Sequence, residues 1–395
     1  MDLEIENLNA VRVLGRGAMG TVFLVTDRTC TACPTFALKV VDKSSFLGRP
    51  DAERRARWEV SVLSALVDHP DRPFLPALMG AIETVDFVAW AIPYCPGGDL
   101  NALRYRQTDH IFSPSAIRFY VSEIVCALEY LHLMGVVYRD LKPENVLVQR
   151  SGHVMLTDFD LSRALLKPSA AGDETTSSRP EGGRDLHRRK LTRIISDFGL
   201  RKTKSARVSP VSRRNAAAER GERSNSFVGT EEYVSPEVVA GSGHEFAVDW
   251  WALGVLTYEM AYGRTPFRGR DRKETFRNVL TKAPEFIGGR LSDLTDLISG
   301  LLEKDPRRRL GSEAGAAEVK AHPFFRGLRW ELLMEVSRPP FVPDDEDGGA
   351  MTGLKAQSVG EYLEKLKREA CSRSTSLSSM LSSDWRRSVS SLSEF

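Results

Sequence analysis

The stretch from Tyr138 to Asp160 constrains this chain more than any other. It reads Tyr138-Arg139-Asp140-Leu141-Lys142-Pro143-Glu144-Asn145 and then carries apolar, strand-like runs at Val146-Leu147-Val148 and Val154-Met155-Leu156 around a turn at Ser151-Gly152. It ends Thr157-Asp158-Phe159-Asp160. Transfer of a phosphoryl group asks a protein for placed charge: an acceptor for a hydroxyl proton, and oxygen ligands for Mg²⁺ on the phosphates. Asp140 has the residue type for the first task, Asn145 and Asp158 for the second. The plain alternative is a solvated charged loop between two strands. Two motifs in this order around an apolar run, with the motifs below, speak against it.

The chain has 395 residues, 42% of them hydrophobic. That is about two to three domains' worth of residues, enough for a sizeable core in a two-lobed fold with accessory segments. The net charge of +2 implies no nucleic-acid or membrane role for the chain as a whole. Five cysteines, Cys30, Cys33, Cys95, Cys126 and Cys371, are scattered and odd in number, and no apolar signal sequence follows Met1-Asp2. These features predict a reducing, cytoplasmic or nuclear compartment. Cys30-Thr31-Ala32-Cys33 reads as a turn, because no second cysteine or histidine pair answers it as zinc would require. No run approaches the roughly 20 apolar residues of a membrane span, and Asp2 excludes N-myristoylation.

Near the N-terminus, Val11-Arg12-Val13-Leu14 leads into Gly15-Arg16-Gly17-Ala18-Met19-Gly20-Thr21-Val22. Alternating residues on both sides predict two strands joined by a loop whose glycines let backbone approach phosphate. A dinucleotide-binding turn shares the glycine spacing but places a helix next. Here Val22-Phe23-Leu24-Val25 continues as strand. Lys39 is the one charge in Phe36-Ala37-Leu38-Lys39-Val40-Val41, a costly position unless it is paired. A snorkelling surface lysine is the bland alternative. From Pro114 to His132, apolar residues Ile117, Tyr120, Val121, Ile124, Val125, Leu128 and Leu131 recur at helical spacing behind a Ser113-Pro114 start.

From about Ala164 to Arg223 the composition shifts, and between Arg163 and Arg223 sixteen Lys or Arg stand against seven acidic residues. Such a segment buries too little apolar area to offset its ordering entropy and is expected to be disordered. Three readings stay open: a regulatory insert rich in phosphorylatable serine, a localisation or anionic-lipid patch, and a nucleic-acid arm. Scarce aromatic residues disfavour the last. The run Ser372 to Ser393 likewise reads as a disordered terminus.

The Tyr138–Asp160 stretch resembles the catalytic loop and metal-binding motif of the eukaryotic protein kinases, with Tyr138 where most members carry His and Asp160 where they carry Gly. The resemblance implies the α+β, bilobal protein-kinase fold: a small antiparallel β lobe with one main helix, and a larger, mainly helical lobe. The kinase domain would span residues 8–325, with the small lobe about 8–92, the hinge 93–99 and the large lobe 100–325. The insert occupies 164–223 and a C-terminal tail 326–395. Leu14, Gly15, Arg16, Gly17, Ala18, Met19, Gly20, Thr21 and Val22 would cover ATP. Lys39 would contact its phosphates and pair with Glu59. Tyr94 and Cys95 would face adenine, Asp99 the ribose, and Ile92 would be the gatekeeper. Pro93 departs from the usual acidic residue, at no cost if only its carbonyl faces adenine. Cys95 is read as a packing residue, with a redox switch as the alternative.

Lys142, two residues after Asp140, marks the Ser/Thr form of the loop and would touch the transferring phosphate. At Asp160, Asp is expected to tolerate the left-handed backbone better than most residues, changing activation-loop dynamics but not the metal ligand Asp158. Ile195-Ser196-Asp197-Phe198-Gly199 imitates the metal motif, but it lies far from Asp140 and no buried strand precedes it. Ser224-Asn225-Ser226-Phe227-Val228-Gly229-Thr230 looks like the end of an activation segment. Ser226 would be the phosphosite and Arg139 its partner, with Thr230 facing Asp140. Glu237 would pair with Arg309, and Asp249 would brace the catalytic-loop backbone.

Phe341-Val342-Pro343 and the tail are similar to the AGC class. Asp158-Phe159-Asp160 with the long insert resembles its plant-specific branch, which holds relatives of PINOID, UNICORN and the phototropin kinase domain. No light-sensing domain is present. The ending Leu392-Ser393-Glu394-Phe395 is a degraded Phe-x-x-Phe motif, so tail docking in cis or on an upstream kinase stays open.

The function implied is ATP- and Mg²⁺-dependent phosphorylation of Ser and Thr in protein substrates, with autophosphorylation. Glu144 and Glu259 would read a basic residue near the target. Expected partners are protein substrates, an upstream activating kinase at the activation loop and tail, and an anionic lipid surface at the basic insert. No specific nucleic acid is expected, and the chain reads as a monomer. The localisation implied is cytoplasmic, with nuclear or plasma-membrane association open. A pseudokinase scaffold and a membrane-targeted adaptor are the competing classes.

Overall fold

A computed structural model describes residues 3–17, 20–29, 35–43, 50–67, 74–165, 230–243, 245–286, 292–335, 339–341 and 357–361. Cys30, Cys33, Ala18, Met19, Asp197, Ser226 and nearly all of the basic insert lie outside them. Two compact units make up the chain. One comprises Met1–Pro50, Met79–Tyr94 and Asp345–Phe395; the other comprises Asp51–Leu78 and Cys95–Asp344.

The first unit is an antiparallel sheet. β1 (Leu8–Gly17), β2 (Gly20–Asp27), β3 (Phe36–Asp42), β4 (Gly80–Glu83) and β5 (Phe87–Pro93) run in the spatial order β1-β2-β3-β5-β4. A short tail strand, Gln357–Ser358, adds to the outer side of β1 through Asn9↔Ser358 and Ala10↔Gln357. The glycine-rich stretch is the β1–β2 hairpin, with Gly17 opposite Gly20. Alternation sends Phe23, Val25, Phe36, Leu38, Val40, Ala89 and Ala91 into one apolar core, which Leu8 and Val359 complete. Gly20 sits at φ 130°, and a Cβ there would meet the Val40 carbonyl oxygen at 2.3 Å. No other residue fits where β2 opens against the Val40 backbone of β3.

The second unit is mainly helical. Its elements are α1 (Pro50–Val67), α2 (Leu100–Tyr105), α3 (Pro114–Leu133), β6 (Val136–Val137), β7 (Val146–Val148), β8 (Val154–Leu156), β9 (Arg163–Ala164), α4 (Pro236–Val239), α5 (Ala247–Tyr262), α6 (Arg272–Thr281), α7 (Asp293–Leu301) and α8 (Ala316–Lys320). α3 starts where its sequence says it should. The Ser113 side chain accepts from Ala116 N–H at 3.2 Å, Pro114 opens the first turn, and every residue of the predicted apolar face is buried. α5 is buried nearly all round, with Trp250 and Trp251 fully enclosed, and stops at Gly263 in the left-handed region, φ 70°. Arg309, fully buried, forks onto both carboxylate oxygens of Glu237 at 2.7 and 2.8 Å, the ion pair anticipated from sequence.

Two expectations change. α1, assigned from sequence to the small lobe, groups from Asp51 onward with the helical unit. Its side chains explain this: Arg55 and Trp58 hydrogen-bond to Asp160 and Ser162. The insert, expected from about Ala164, yields its first residues to the fold. Ala164 pairs with Val136, and Leu165 is buried beside Val137 and Val248.

Candidate active site

In the helical unit the site is built around a braced loop. Asp249, fully buried near the start of α5, accepts from the backbone N–H groups of Tyr138 and Arg139 at 2.8 and 2.7 Å, and its Oδ2 lies 2.8 Å from His132 Nε2. Arg139 is thereby held at φ 71°. The buried Tyr138 ring donates its hydroxyl to the Thr157 carbonyl, linking the loop to the segment after β8.

Beyond this brace Asp140 is 6% exposed. Its Oδ2 accepts from Lys142 Nζ and from Asn145 Nδ2, both at 2.8 Å. The Asn145 amide also donates to the Asp140 carbonyl at 2.8 Å. Burial pushes the Asp140 carboxyl above its ordinary range, while Lys142 and Asn145 pull it back. The β7–β8 hairpin pairs Val146 with Leu156, and Thr157 N–H reaches the Asn145 carbonyl at 3.0 Å. Asn145 and Asp158 therefore flank the same end of one hairpin, with Asp140 hydrogen-bonded to the first.

The backbone after β8 departs from expectation. The left-handed residue is Asp158, φ 62°; Asp160 has no positive φ. Asp160 instead lies in a turn closed by Ser162 N–H on the Phe159 carbonyl at 3.0 Å, and its 3%-exposed side chain bonds Arg55 of α1. Aspartate gives Arg55 a carboxylate partner here, which glycine would not.

The remaining predicted residues of this unit have identifiable surroundings. Glu59 is buried on α1, 3% exposed. Glu144 is exposed. Glu259 pairs with Arg104 at 3.2 Å and accepts the Tyr233 hydroxyl at 2.5 Å. Asp99 caps α2 by accepting from Ala102 N–H at 2.7 Å. Cys95 is buried, and burial pushes its thiol up to about 12, which disfavours the reactive thiolate. Thr230 and Asp140 line one small cavity of about 30 Å³.

In the sheet unit, Leu14, Gly15, Arg16 and Gly17 lie at the end of β1, and Gly20, Thr21 and Val22 open β2. Lys39 is opposite Val22 and Trp90, its Nζ 5.2 Å from the Trp90 ring centroid. Tyr94 accepts from Arg12 at 2.6 Å through its hydroxyl. Arg55, Trp58, Arg104 and Tyr233 were not singled out from sequence. Each meets a partner between 26 and 155 positions away, although the i, i+3, i+4 spacing of Arg55, Trp58 and Glu59 was a visible sign of a shared helix face.

Residues 8–179 and 187–325 match the protein kinase domain. The chain is 56% identical over 377 residues to the serine/threonine-protein kinase UCN of Arabidopsis thaliana, covering 93% of this chain and 92% of that protein. It is 55% identical over 377 residues to the serine/threonine-protein kinase UCNL of the same plant, covering 92% and 90%. Against protein kinase PINOID of Oryza sativa subsp. japonica it is 44% identical over 351 residues, covering 86% and 70%. The chain belongs to the protein kinase family, in its plant AGC serine/threonine branch. It is an ATP-dependent enzyme acting on Ser and Thr of protein substrates, in a family that uses ATP and typically Mg²⁺. Among the described residues no helix is long and apolar enough to cross a membrane.

Proposed function

We propose that Asp140 orients the substrate hydroxyl and accepts its proton, with Lys142 beside it to meet the transferring phosphate. The observation that carries this reading is the Asp140–Lys142–Asn145 cluster, in which one buried carboxylate oxygen receives an ammonium and an amide, each at 2.8 Å. Asn145 and Asp158 supply oxygen donors of the kind Mg²⁺ prefers, few in number because phosphates and water complete its shell. Bound there, Mg²⁺ would neutralise charge on the phosphates. The glycine loop fits a phosphate ligand as well. A Cβ at Gly15 or Gly17 would meet nothing within 4 Å, so packing does not demand glycine, whereas close backbone approach by a ligand does. On this reading residues Leu14 to Val22 cover the phosphates, Lys39 with Glu59 as its partner orients them, and Tyr94, Cys95 and Asp99 line the nucleoside site.

A preference for basic residues near the target rests first on Glu144, which is exposed. Glu259 reads a substrate cation only by exchanging Arg104. Autophosphorylation, activation by an upstream kinase at Ser226 with Arg139 receiving the phosphate, contact of the basic insert with anionic lipid, and action as a monomer complete the proposal.

The test is phosphate transfer from labelled ATP to an Arg-containing Ser/Thr peptide and to the protein itself. Asp140→Asn, Asp158→Asn and Lys39→Met should abolish it, and Asp197→Asn should not. Glu144→Gln should raise KM for the basic peptide and leave kcat unchanged. Retained transfer in Asp158→Asn with loss in Asp197→Asn would overturn the metal assignment.

A further inference from the structure

Asp160 stands where most of the family carries glycine, and its surroundings give the substitution a purpose. Arg55, Trp58 and Glu59 are spaced i, i+3, i+4 and so share one face of α1. Arg55 Nη2 donates to the Asp160 carboxylate, which is 3% exposed. One turn along, Trp58 Nε1–H donates to Ser162 Oγ at 2.9 Å, and that hydroxyl donates to the Phe159 carbonyl at 2.6 Å. Two side chains of α1 are thus fastened to the turn that immediately follows Asp158. Glu59 is buried on the same face.

We propose that Asp160 is a positioning residue for phosphoryl transfer: with Arg55 it fixes α1, and hence Glu59, to the Asp158–Ser162 segment, with Trp58–Ser162 as a second fastening. A charge-assisted bond with one partner buried is stiffer than anything a glycine could offer, since glycine has no side chain to bond with and loosens the turn. The kinase therefore builds into its resting chain a link between α1 and the metal-binding segment. This inference rests on the proposed role of Glu59.

The experiment is steady-state kinetics on the full chain, with thermal melting of each variant. Asp160→Asn and Arg55→Gln should each lower kcat about ten-fold, the scale of one charge-assisted hydrogen bond, with peptide KM unchanged. The double variant should be no worse than either single one. Arg55→Lys, which keeps the charge, should recover most of the loss. Trp58→Phe should lower kcat about three-fold by removing one neutral hydrogen bond, and it stays informative if the charged variants fold poorly. Losses that multiply in the double variant, or melting shifts with unchanged kcat, would overturn the proposal. Glu59→Gln separates the two layers. If it abolishes transfer while Asp160→Asn and Arg55→Gln leave kcat intact, the fastening alone is wrong. If Glu59→Gln leaves kcat unchanged, the role of Glu59 is wrong and the proposal falls with it.

Discussion

Asp249 holds Arg139 in a left-handed backbone conformation, φ 71°, by accepting its N–H at 2.7 Å. A side chain with a Cβ resists that conformation, so the carboxylate keeps strained backbone where Asp140 follows it. Asp249→Asn keeps the shape but turns an N–H₂ toward one of two buried N–H donors. The expected cost is about 2 kcal/mol for an unsatisfied buried donor, read as a fall in melting temperature. A drop in kcat at unchanged peptide KM should accompany it, because Asp140 moves with Arg139.

The forked pair of Arg309 with Glu237 is architectural, with Arg309 wholly enclosed and also donating to the Ala247 carbonyl at 2.8 Å. Breaking such a pair strands a buried charge. Glu237→Ala is expected to lower stability by about 3–5 kcal/mol, measured by urea denaturation. The double replacement Glu237→Leu with Arg309→Met should recover most of that loss.

Lys304 supplies a pH dependence. Its Nζ lies 3.7 Å from the Phe267 ring centroid and 4.7 Å from that of Trp251, and it has no hydrogen-bond acceptor among the described residues. Burial, with Arg309 adding to it, pushes the ammonium down to about 7, and the two rings offset part of the cost. Between there and the ordinary lysine range the unfolded chain binds a proton that the folded chain does not, so stability rises with pH through that window. Lys304→Met should be more stable than wild type below pH 7, by about 1 kcal/mol in urea denaturation. The gap should close as pH approaches 10.

Val359 follows the tail strand and is fully buried in the core of the sheet unit, with Leu8 and Phe23 in the same cluster. Val359→Asp replaces a buried apolar side chain worth about 1.5–3 kcal/mol by a charge. Limited proteolysis should then cut the sheet unit first, while Val359→Ile should leave the pattern unchanged.

Local signals carried much of the fold. The hairpin at the glycines and the long helix from Pro114 follow from alternation, spacing and a capping serine, all of which act within a few residues. Asp140, Asn145 and Asp158 were legible as chemistry because one short hairpin sets their separation. Arg55 was not singled out: its spacing from Trp58 and Glu59 marks a shared helix face, but nothing local names the partner that face meets. The purpose of Asp160 was hidden for the same reason: its partner is 105 positions away. The left-handed residue is Asp158, while Asp160 meets Arg55 from an ordinary turn. Gln357–Ser358 has no strand signature of its own, and only the open side of β1 makes it one.

That last pairing sets a clock on biosynthesis. Asn9 leaves the ribosome well ahead of Ser358, its partner, which follows roughly 350 residues later. At ordinary elongation rates the outer side of β1 stands bare for roughly 20–70 s. For that interval the nascent chain offers an unpaired backbone edge to any neighbouring polypeptide, and a ribosome stalled before the tail would leave it permanently exposed.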